Sequence, residues 1–172
     1  MTAGEQVSRT VSVNAPTERV WELVSDLPGM GRFSRENTGG SWAEGADGPA
    51  VGARFRGSNR AGWRRWGTQV VVVRCVPNLE FAFTAAAVGM VTSEWAYVLQ
   101  STGSGCTVTE TWTDRRGRAI QMIGRLVTGV SDRAAFTAIS IEHTLAGIKA
   151  LAELVAQPAA EGEAERETGP AA

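Results

Sequence analysis

The start of the chain, where one strand is followed directly by one helix, constrains the fold more than any other feature of the sequence. In residues 7–13 (VSRTVSV), valines alternate with polar residues, which indicates a strand with one apolar face. The next residues predict a helix, with Asn14 as its cap, Pro16 in its first turn and Glu18 near the positive end of its dipole. The buried stripe of this helix is predicted to be Val20, Trp21, Val24 and Leu27. A strand that meets a helix before any second strand limits the folds open to the chain.

Length and composition indicate a single domain at residues 1–157, followed by a disordered acidic tail at residues 158–172. The chain has 172 residues and a formal net charge of −1, so no overall positive field favours nucleic acid. The tail (PAAEGEAERETGPAA) lacks large apolar residues. The sequence has no signal-peptide pattern, no apolar run of membrane-spanning length, and no disulfide or metal motif around its two cysteines. We therefore expect a cytoplasmic protein that binds neither nucleic acid nor metal and does not insert stably into membranes.

The middle of the chain contains only strand patterns. A short strand is predicted at residues 38–42, and longer ones follow at residues 54–60, 66–76, 79–86, 92–99 and 106–114. The last of these alternates strictly, with four threonines on one face and Val108, Glu110 and Trp112 on the other. We expect the threonine face to meet solvent and the other face to point into the interior.

The end of the folded region changes to a helical period. Apolar or small residues recur at spacings of three and four, which predicts one long amphipathic helix with a hinge near Gly129. These residues are Ile123, Val127, Val130, Ala134, Ala138, Ile141, Leu145, Ile148, Ala152 and Val155. The predicted fold class is therefore α+β, with a curved antiparallel sheet wrapped around a long C-terminal helix. Such a sheet tends to enclose a cavity between itself and the helix.

These segments together resemble the START/SRPBCC superfamily, the helix-grip fold of polyketide cyclase/dehydrase-like and birch-pollen-allergen-like proteins. The resemblance rests on residues 11–34 (VSVNAPTERVWELVSDLPGMGRFS), on residues 51–57 (VGARFRG), on EWAYVLQ and GCTVTETW within residues 94–112, and on the terminal helix. It implies a hydrophobic ligand cavity but no single chemistry, because the superfamily includes binders, transporters, cyclases and hydrolases. The Rieske-cluster ligands and the iron triad of the ring-hydroxylating branch are absent from the sequence, and no cofactor is predicted.

Glu110 is the sharpest candidate for a functional side chain, because alternation places it on the inward face with Val108 and Trp112. A desolvated, unpaired carboxylate there would have a raised pKa, which suits proton transfer or the binding of a polar ligand end. Two structural alternatives stay open. The carboxylate could pair with an arginine or a tryptophan N–H, or it could reach water at the cavity rim.

Inward-facing aromatic and amide side chains are the other candidate ligand contacts. Asn59 shares a strand face with Phe55 and either donates to a ligand carbonyl or stabilises the adjacent turn. Aromatic residues dominate any core, but the helix cannot fill the interior alone, so some of them should line the cavity, and Tyr97 should present a hydroxyl group. The full predicted ligand-binding set is Phe55, Asn59, Phe81, Phe83, Trp95, Tyr97, Glu110 and Trp112.

Three further features have simpler explanations. The predicted hairpin tip at residues 62–66 (GWRRW) should stack arginine on tryptophan, with a cavity lid, a membrane-surface anchor or a nucleic-acid contact as alternatives. His143 should lie at the solvent edge of the terminal helix, with no nucleophile pattern around it. Arg115 and Arg116 follow the last strand. They either belong to a solvated turn or attract the anionic head of a ligand.

The function expected from these features is the binding or transport of a hydrophobic small molecule (lipid, polyketide or isoprenoid-like) by a monomer or homodimer. The alternative is an aromatic polyketide cyclase/dehydratase-type enzyme in which Glu110 acts as acid or base and Tyr97 or Asn59 orients a carbonyl. A protein-interaction module would need an exposed apolar patch, which the sequence does not reveal.

Overall fold

A computed structural model describes residues 4–87 and 89–156 and has the predicted α+β helix-grip architecture. Its helices are α1 (Thr17–Ser25), α2 (Arg118–Thr128) and α3 (Arg133–Ala156), and a 3₁₀ turn, Pro28–Arg32, follows α1. Its strands are β1 (Gln6–Val13), β2 (Asn37–Ala43), β3 (Arg54–Ala61), β4 (Arg64–Val76), β5 (Glu80–Ala87), β6 (Met90–Thr102) and β7 (Gly105–Asp114). The tail predicted at residues 158–172 lies outside the described residues.

The seven strands form one antiparallel sheet in the order β1-β7-β6-β5-β4-β3-β2. The lone first strand therefore pairs with the last one, so that Val11 lies opposite Val108. Register shifts in β4, between Val72 and Arg74, and in the β5–β6 pair bend the strands and increase the curvature of the sheet. Since the strands alternate in direction, the β3–β4 turn, the β5–β6 turn and the end of β7 all lie at one end of the sheet, which we call the mouth end.

The core lies between the concave face of the sheet, α1 and α3. Side chains at period two from the strands meet side chains at helical spacing from α3, such as Ile141, Leu145 and Ile148. The predicted alternation of β7 is confirmed, because Val108, Glu110 and Trp112 are buried while the threonines of the other face are only partly covered.

The predicted cap of α1 is wrong. The residue at the N-cap position is Pro16, and no side chain caps the helix. Asn14 lies outside the helix, and its backbone N–H donates to Glu153 Oε1 of α3 at 2.8 Å. Asn14 therefore links the end of β1 to the far end of α3 instead of starting α1.

The C-terminal region consists of two helices where the sequence predicted one. α2 ends at Gly129, whose φ of 73° lies in the left-handed region that stops a helix. α3 begins after Asp132, whose Oδ1 accepts a hydrogen bond from the Ala135 N–H at 2.9 Å. The predicted hinge at Gly129 is thus a complete break, and it frees α2 to cross the mouth end. Within the described residues, no helix is long and apolar enough to cross a membrane.

Candidate functional site

A cavity of about 440 Å³ lies between the concave face of the sheet and the helices. Strands β3 to β7 supply its floor, α3 supplies one wall, and α2 covers the mouth end. The aromatic and apolar lining is Leu27, Met30, Phe55, Trp66, Val70, Phe83, Ala85, Ala87, Trp95, Trp112, Ile120, Ile123 and Val127. The polar lining includes Ser34, Glu36, Asn37, Asn59, Thr68, Thr92, Ser93, Tyr97, Glu110, Arg116, Thr128, Arg133, Ser140 and Thr144. The volume and the lining are typical of a site for a small organic molecule.

Glu110 and Tyr97 form a hydrogen-bonded pair in the cavity wall. They lie directly opposite each other on β7 and β6, and the Tyr97 hydroxyl donates to Glu110 Oε1 at 2.9 Å. Both residues are 2% exposed. The other carboxyl oxygen, Oε2, is buried and has no hydrogen-bond partner among the described residues. Of the alternatives open at the sequence level, the structural partner is neither an arginine nor a tryptophan but a tyrosine.

Burial controls the protonation of this pair. Loss of hydration disfavours the charged carboxylate and raises the pKa of Glu110 to about 8, although the Tyr97 hydrogen bond opposes the shift. Burial, with the nearby Glu110 charge, also raises the pKa of Tyr97 well above its ordinary value. At neutral pH Glu110 is therefore mainly a carboxylic acid, which can donate one hydrogen bond as well as accept others.

The predicted aromatic residues reach the cavity with one exception. Trp95 lies opposite Phe83 on one side and opposite Trp112 on the other, so these aromatic residues are neighbours in a band across three strands of the floor. Phe55 joins the lining from β3. The exception is Phe81, which was predicted to contact the ligand but is fully buried outside the lining. Its ring packs edge-on against Trp21, with 6.0 Å between the ring centroids. Phe81 thus holds α1 on the sheet, because β5 passes beyond the cavity at that position.

Asn59 lies at the cavity with its side chain already engaged. Its Nδ2 donates to Thr68 Oγ1 at 3.1 Å, and both residues line the cavity. This bond links β3 to β4 and does not involve the residues of the adjacent turn. The amide oxygen of Asn59 is left for other contacts.

An ion pair beside the cavity was missed by the sequence reasoning. Arg133, in the first turn of α3, donates from Nη1 to Glu36 Oε1 at 2.7 Å, and its Nη2 contacts the other Glu36 oxygen. Glu36 precedes β2 in a segment without period, so alternation could not place it. The only sequence signal was a carboxylate next to Asn37 in a Gly-rich stretch otherwise free of acids. Ser140 and Thr144 of α3 were missed too, because the helical stripe was traced through apolar residues.

The remaining candidates lie around the mouth end or outside the site. Arg116 lines the cavity and is paired with Asp114 at 2.8 Å, while Arg115 pairs with Glu94 at 2.6 Å. His143 is exposed as predicted, and its Nδ1 is 2.8 Å from the Phe33 carbonyl oxygen. The predicted arginine–tryptophan stack is confirmed, because the Arg64 guanidinium lies 4.6 Å from the centre of the Trp63 ring.

Solved structures share this fold at low sequence identity. The polyketide cyclase-like protein Cgl2372 of Corynebacterium glutamicum superimposes with a TM-score of 0.62 at 24% identity, over 90% of this chain and 95% of that one. The Aha1 dimer of Colwellia psychrerythraea gives 0.61 at 13% identity, over 89% and 99%. The di-domain ARO/CYC protein StfQ of the steffimycin biosynthetic pathway gives 0.69 at 11% identity, over 90% of this chain and 52% of that chain.

Sequence comparison identifies the family. No curated protein matches the chain. The family model for polyketide cyclase / dehydrase and lipid transport proteins matches residues 5–153, which include every strand and nearly all of α3. The protein therefore belongs to the polyketide cyclase / dehydrase and lipid transport family of the START/SRPBCC superfamily.

Proposed function

We propose that the protein binds a mainly apolar small molecule in its cavity, and that the protonated Glu110 carboxyl donates a hydrogen bond to an acceptor oxygen of that molecule. The observation that carries the proposal is the buried Oε2 of Glu110, which has no partner among the described residues although it belongs to a cavity-lining side chain. A buried polar group left unsatisfied costs about 1–3 kcal/mol. A ligand carbonyl or hydroxyl at that position would recover this free energy.

The aromatic band gives the ligand its expected shape. Phe83, Trp95 and Trp112 all line the cavity, and aromatic side chains favour contact with rings or conjugated chains. Lipid, polyketide and isoprenoid-like molecules all fit this description when they contain an oxygen function. Mass spectrometry of the natively purified protein would identify a co-purifying ligand of this kind.

A neutral fluorescent ketone tests the hydrogen bond directly. We expect prodan, an aromatic ketone, to bind wild type below pH 7 and to bind more weakly as pH rises through about 8, because the ionised Glu110 can no longer donate. Glu110→Gln should bind prodan independently of pH in this range, since its amide both accepts from Tyr97 and donates to the ketone. Glu110→Leu should bind it about tenfold more weakly at pH 6.

A carbonyl-free probe provides the control. N-phenyl-naphthylamine has no acceptor oxygen and therefore cannot accept the Glu110 hydrogen bond. Its affinity should not fall as Glu110 loses its proton, and Glu110→Leu should not weaken its binding. The other charged side chains of the lining are already in ion pairs, Glu36 with Arg133 and Arg116 with Asp114. Prodan binding that is equal in wild type and Glu110→Leu would contradict the proposal.

An enzymatic function is the second candidate, and the raised pKa of Glu110 favours it. A carboxyl group with a pKa of about 8 beside a neutral tyrosine can protonate a ligand oxygen near neutral pH. The aromatic cyclase/dehydratase class is the one suggested by the family. Glu110→Gln separates the two functions, because the amide keeps the hydrogen bonds but cannot transfer a proton. Turnover of a poly-keto substrate by wild type, lost in Glu110→Gln while prodan binding persists, would identify an enzyme.

A further inference from the structure

Large apolar side chains are exposed at the mouth end, although no exposed apolar patch could be predicted there from the sequence. On α2, Leu126 is 77% exposed and Met122 is 66% exposed, and at the β3–β4 turn Trp63 is 81% exposed. Met90 and Val91 at the β5–β6 turn are also exposed, as are Ile123 and Val127 on α2. We call these seven residues the mouth face. A hydrophobic area of this kind on a protein surface indicates an interaction site.

Contacts between the three segments show that they form one surface. The Arg64 guanidinium lies beside Gly129, within 2.7 Å of the position that a Cβ there would occupy, so the β3–β4 turn meets the end of α2. The Arg115 N–H donates to the Thr92 carbonyl at 3.0 Å, so the β5–β6 turn meets the segment that leads into α2. Ile123 and Val127 are exposed and also line the cavity, so the mouth face is continuous with the cavity entrance.

The charged residues in the three segments that form the mouth face are all arginines. Residues 60–66 contain three arginines, residues 115–130 contain four, and residues 87–92 are uncharged; none of these segments contains an aspartate or glutamate. Most acidic side chains nearby are engaged: Glu36, Glu94 and Asp114 pair with arginines, and Asp132 begins α3. Glu5, whose backbone carbonyl accepts from the Asp114 N–H beside the end of β7, is exposed and forms no ion pair among the described residues, so arginines outnumber free acids here. Among the described residues, Arg60, Arg65 and Arg125 form no ion pair. A positive surface thus lies on a chain whose net charge is −1.

We propose that the mouth face docks on the surface of an anionic lipid bilayer. Leu126, Met122 and Trp63 would enter the interface between headgroups and hydrocarbon, while the arginines contact the lipid phosphates. A second copy of the chain is a poorer partner for this face, because dimerisation through it would bring the two sets of arginines together. Docking in this orientation turns the cavity entrance toward the hydrocarbon, where an apolar ligand dissolves. The proposal does not depend on which molecule the cavity holds.

Vesicle flotation tests the docking. We expect wild type to float with vesicles of equal parts phosphatidylcholine and phosphatidylglycerol, to bind phosphatidylcholine vesicles at least about tenfold more weakly, and to lose binding at high salt. Leu126→Glu should reduce binding to the anionic vesicles at least about tenfold. The double variant Arg65→Gln/Arg125→Gln should reduce it about thirtyfold, on the basis of about fivefold for each arginine near the surface.

Matched controls at other places on the molecule make the test specific. Leu154→Glu changes an equally exposed leucine, 70% accessible, near the far end of α3, and Arg9→Gln removes an exposed arginine of β1. Both should bind anionic vesicles as wild type does, and circular dichroism should show that every variant is folded. Absence of vesicle binding, equal binding to neutral and anionic vesicles, or unchanged binding by Leu126→Glu would overturn the proposal. A dimer in analytical ultracentrifugation that Leu126→Glu dissociates would also overturn it and assign the face to self-association.

Discussion

The buried Glu110 carboxyl should make the stability of the protein depend on pH in an unusual direction. Its pKa is about 8 in the folded state and near the ordinary 4.5 in an unfolded chain. Between these values the unfolded chain loses the proton and the folded protein keeps it. The free energy of unfolding should therefore fall by up to about 1.4 kcal/mol per pH unit from about pH 4.5 to about pH 8 and then level off. Urea denaturation across this range, on wild type and Glu110→Gln, measures the effect.

The substitution Glu110→Gln should remove this decrease in the free energy of unfolding with rising pH, because the amide does not titrate. Glu94→Gln provides the control with the opposite sign. Hydrogen bonds and charge from Arg115 and Arg74 outweigh burial and lower the pKa of Glu94, so its contribution to stability is present above the unfolded pKa and is lost as pH falls. The decline above pH 5 should persist in Glu94→Gln. A decline that also persists in Glu110→Gln would mean that another group causes it.

Tyr97→Phe should raise the pKa of Glu110 further. The hydroxyl hydrogen bond is the one interaction that lowers this pKa in the folded protein, and the phenylalanine ring keeps the packing. The pH at which prodan binding weakens should therefore move upward from about 8. Glu110→Gln/Tyr97→Phe, which lacks the titrating group, should show no such transition. A midpoint that stays in place or moves downward in Tyr97→Phe would contradict the role given to the hydroxyl.

At the level of single residues, alternation was sufficient to predict which side chains face inward but not which side chains meet. It placed Glu110 and Tyr97 on inward faces of separate strands. Their hydrogen bond depends on the β6–β7 register, which a hairpin turn and a bulge can shift by one residue. Phe81 shows the same limit, because its inward direction was correct and only the three-dimensional path of β5 places it under α1 instead of beside the cavity.

The ion pair between Glu36 and Arg133 connects two elements that are distant in sequence, the segment before β2 and the first turn of α3. Both side chains are largely buried, so Glu36→Gln would leave the Arg133 charge without its partner. We expect a loss of about 3 kcal/mol in the free energy of unfolding, the lower end of the range for buried pairs, because each side chain retains some exposure. Urea denaturation at pH 7 measures this loss.

An exposed ion pair gives the matched control for this prediction. Glu142→Gln breaks the pair between Arg9 and Glu142, whose side chains are both about half exposed, and should cost less than about 1 kcal/mol. Equal losses in the two variants would mean that burial of the Glu36 pair contributes little.

The spacing of apolar residues along the sequence was sufficient to predict the order and type of the elements. The residues at which the helices begin and end depend instead on local backbone geometry. The helical period runs through Gly129 without interruption in the apolar stripe, yet the left-handed conformation at that glycine separates α2 from α3. Asn14 has the chemistry of a cap, but Pro16 occupies the N-cap position. The sequence could therefore predict a helix-grip fold without predicting the separate α2 that carries four of the seven residues of the mouth face.

On the scale of the whole molecule, the helix-grip fold separates a packed half from a hollow half. The half near the end of β1 is closed by α1, whose Val20, Leu23 and Val24 fill the space under the sheet. At the mouth end α2 covers the sheet without filling it, and the cavity remains. An unfilled volume inside a protein lowers its stability, so the cavity makes the fold less stable than a filled core would.

Filling the cavity should therefore separate stability from binding. Ala85 of β5 lies in the cavity floor, directly across from Val70, and its methyl group leaves space that a larger side chain could occupy. Ala85→Phe should keep or raise the thermal midpoint of unfolding, because the new ring gains contacts in empty volume. It should also weaken prodan binding at least about tenfold by occupying the ligand's place. Ala146→Phe, on the exposed side of α3, is the control and should leave binding unchanged. If Ala85→Phe binds prodan as wild type does, the probe binds elsewhere and the cavity is not the ligand site. If the folded variant binds neither prodan nor N-phenyl-naphthylamine, both probes bind in the volume between the sheet and α3.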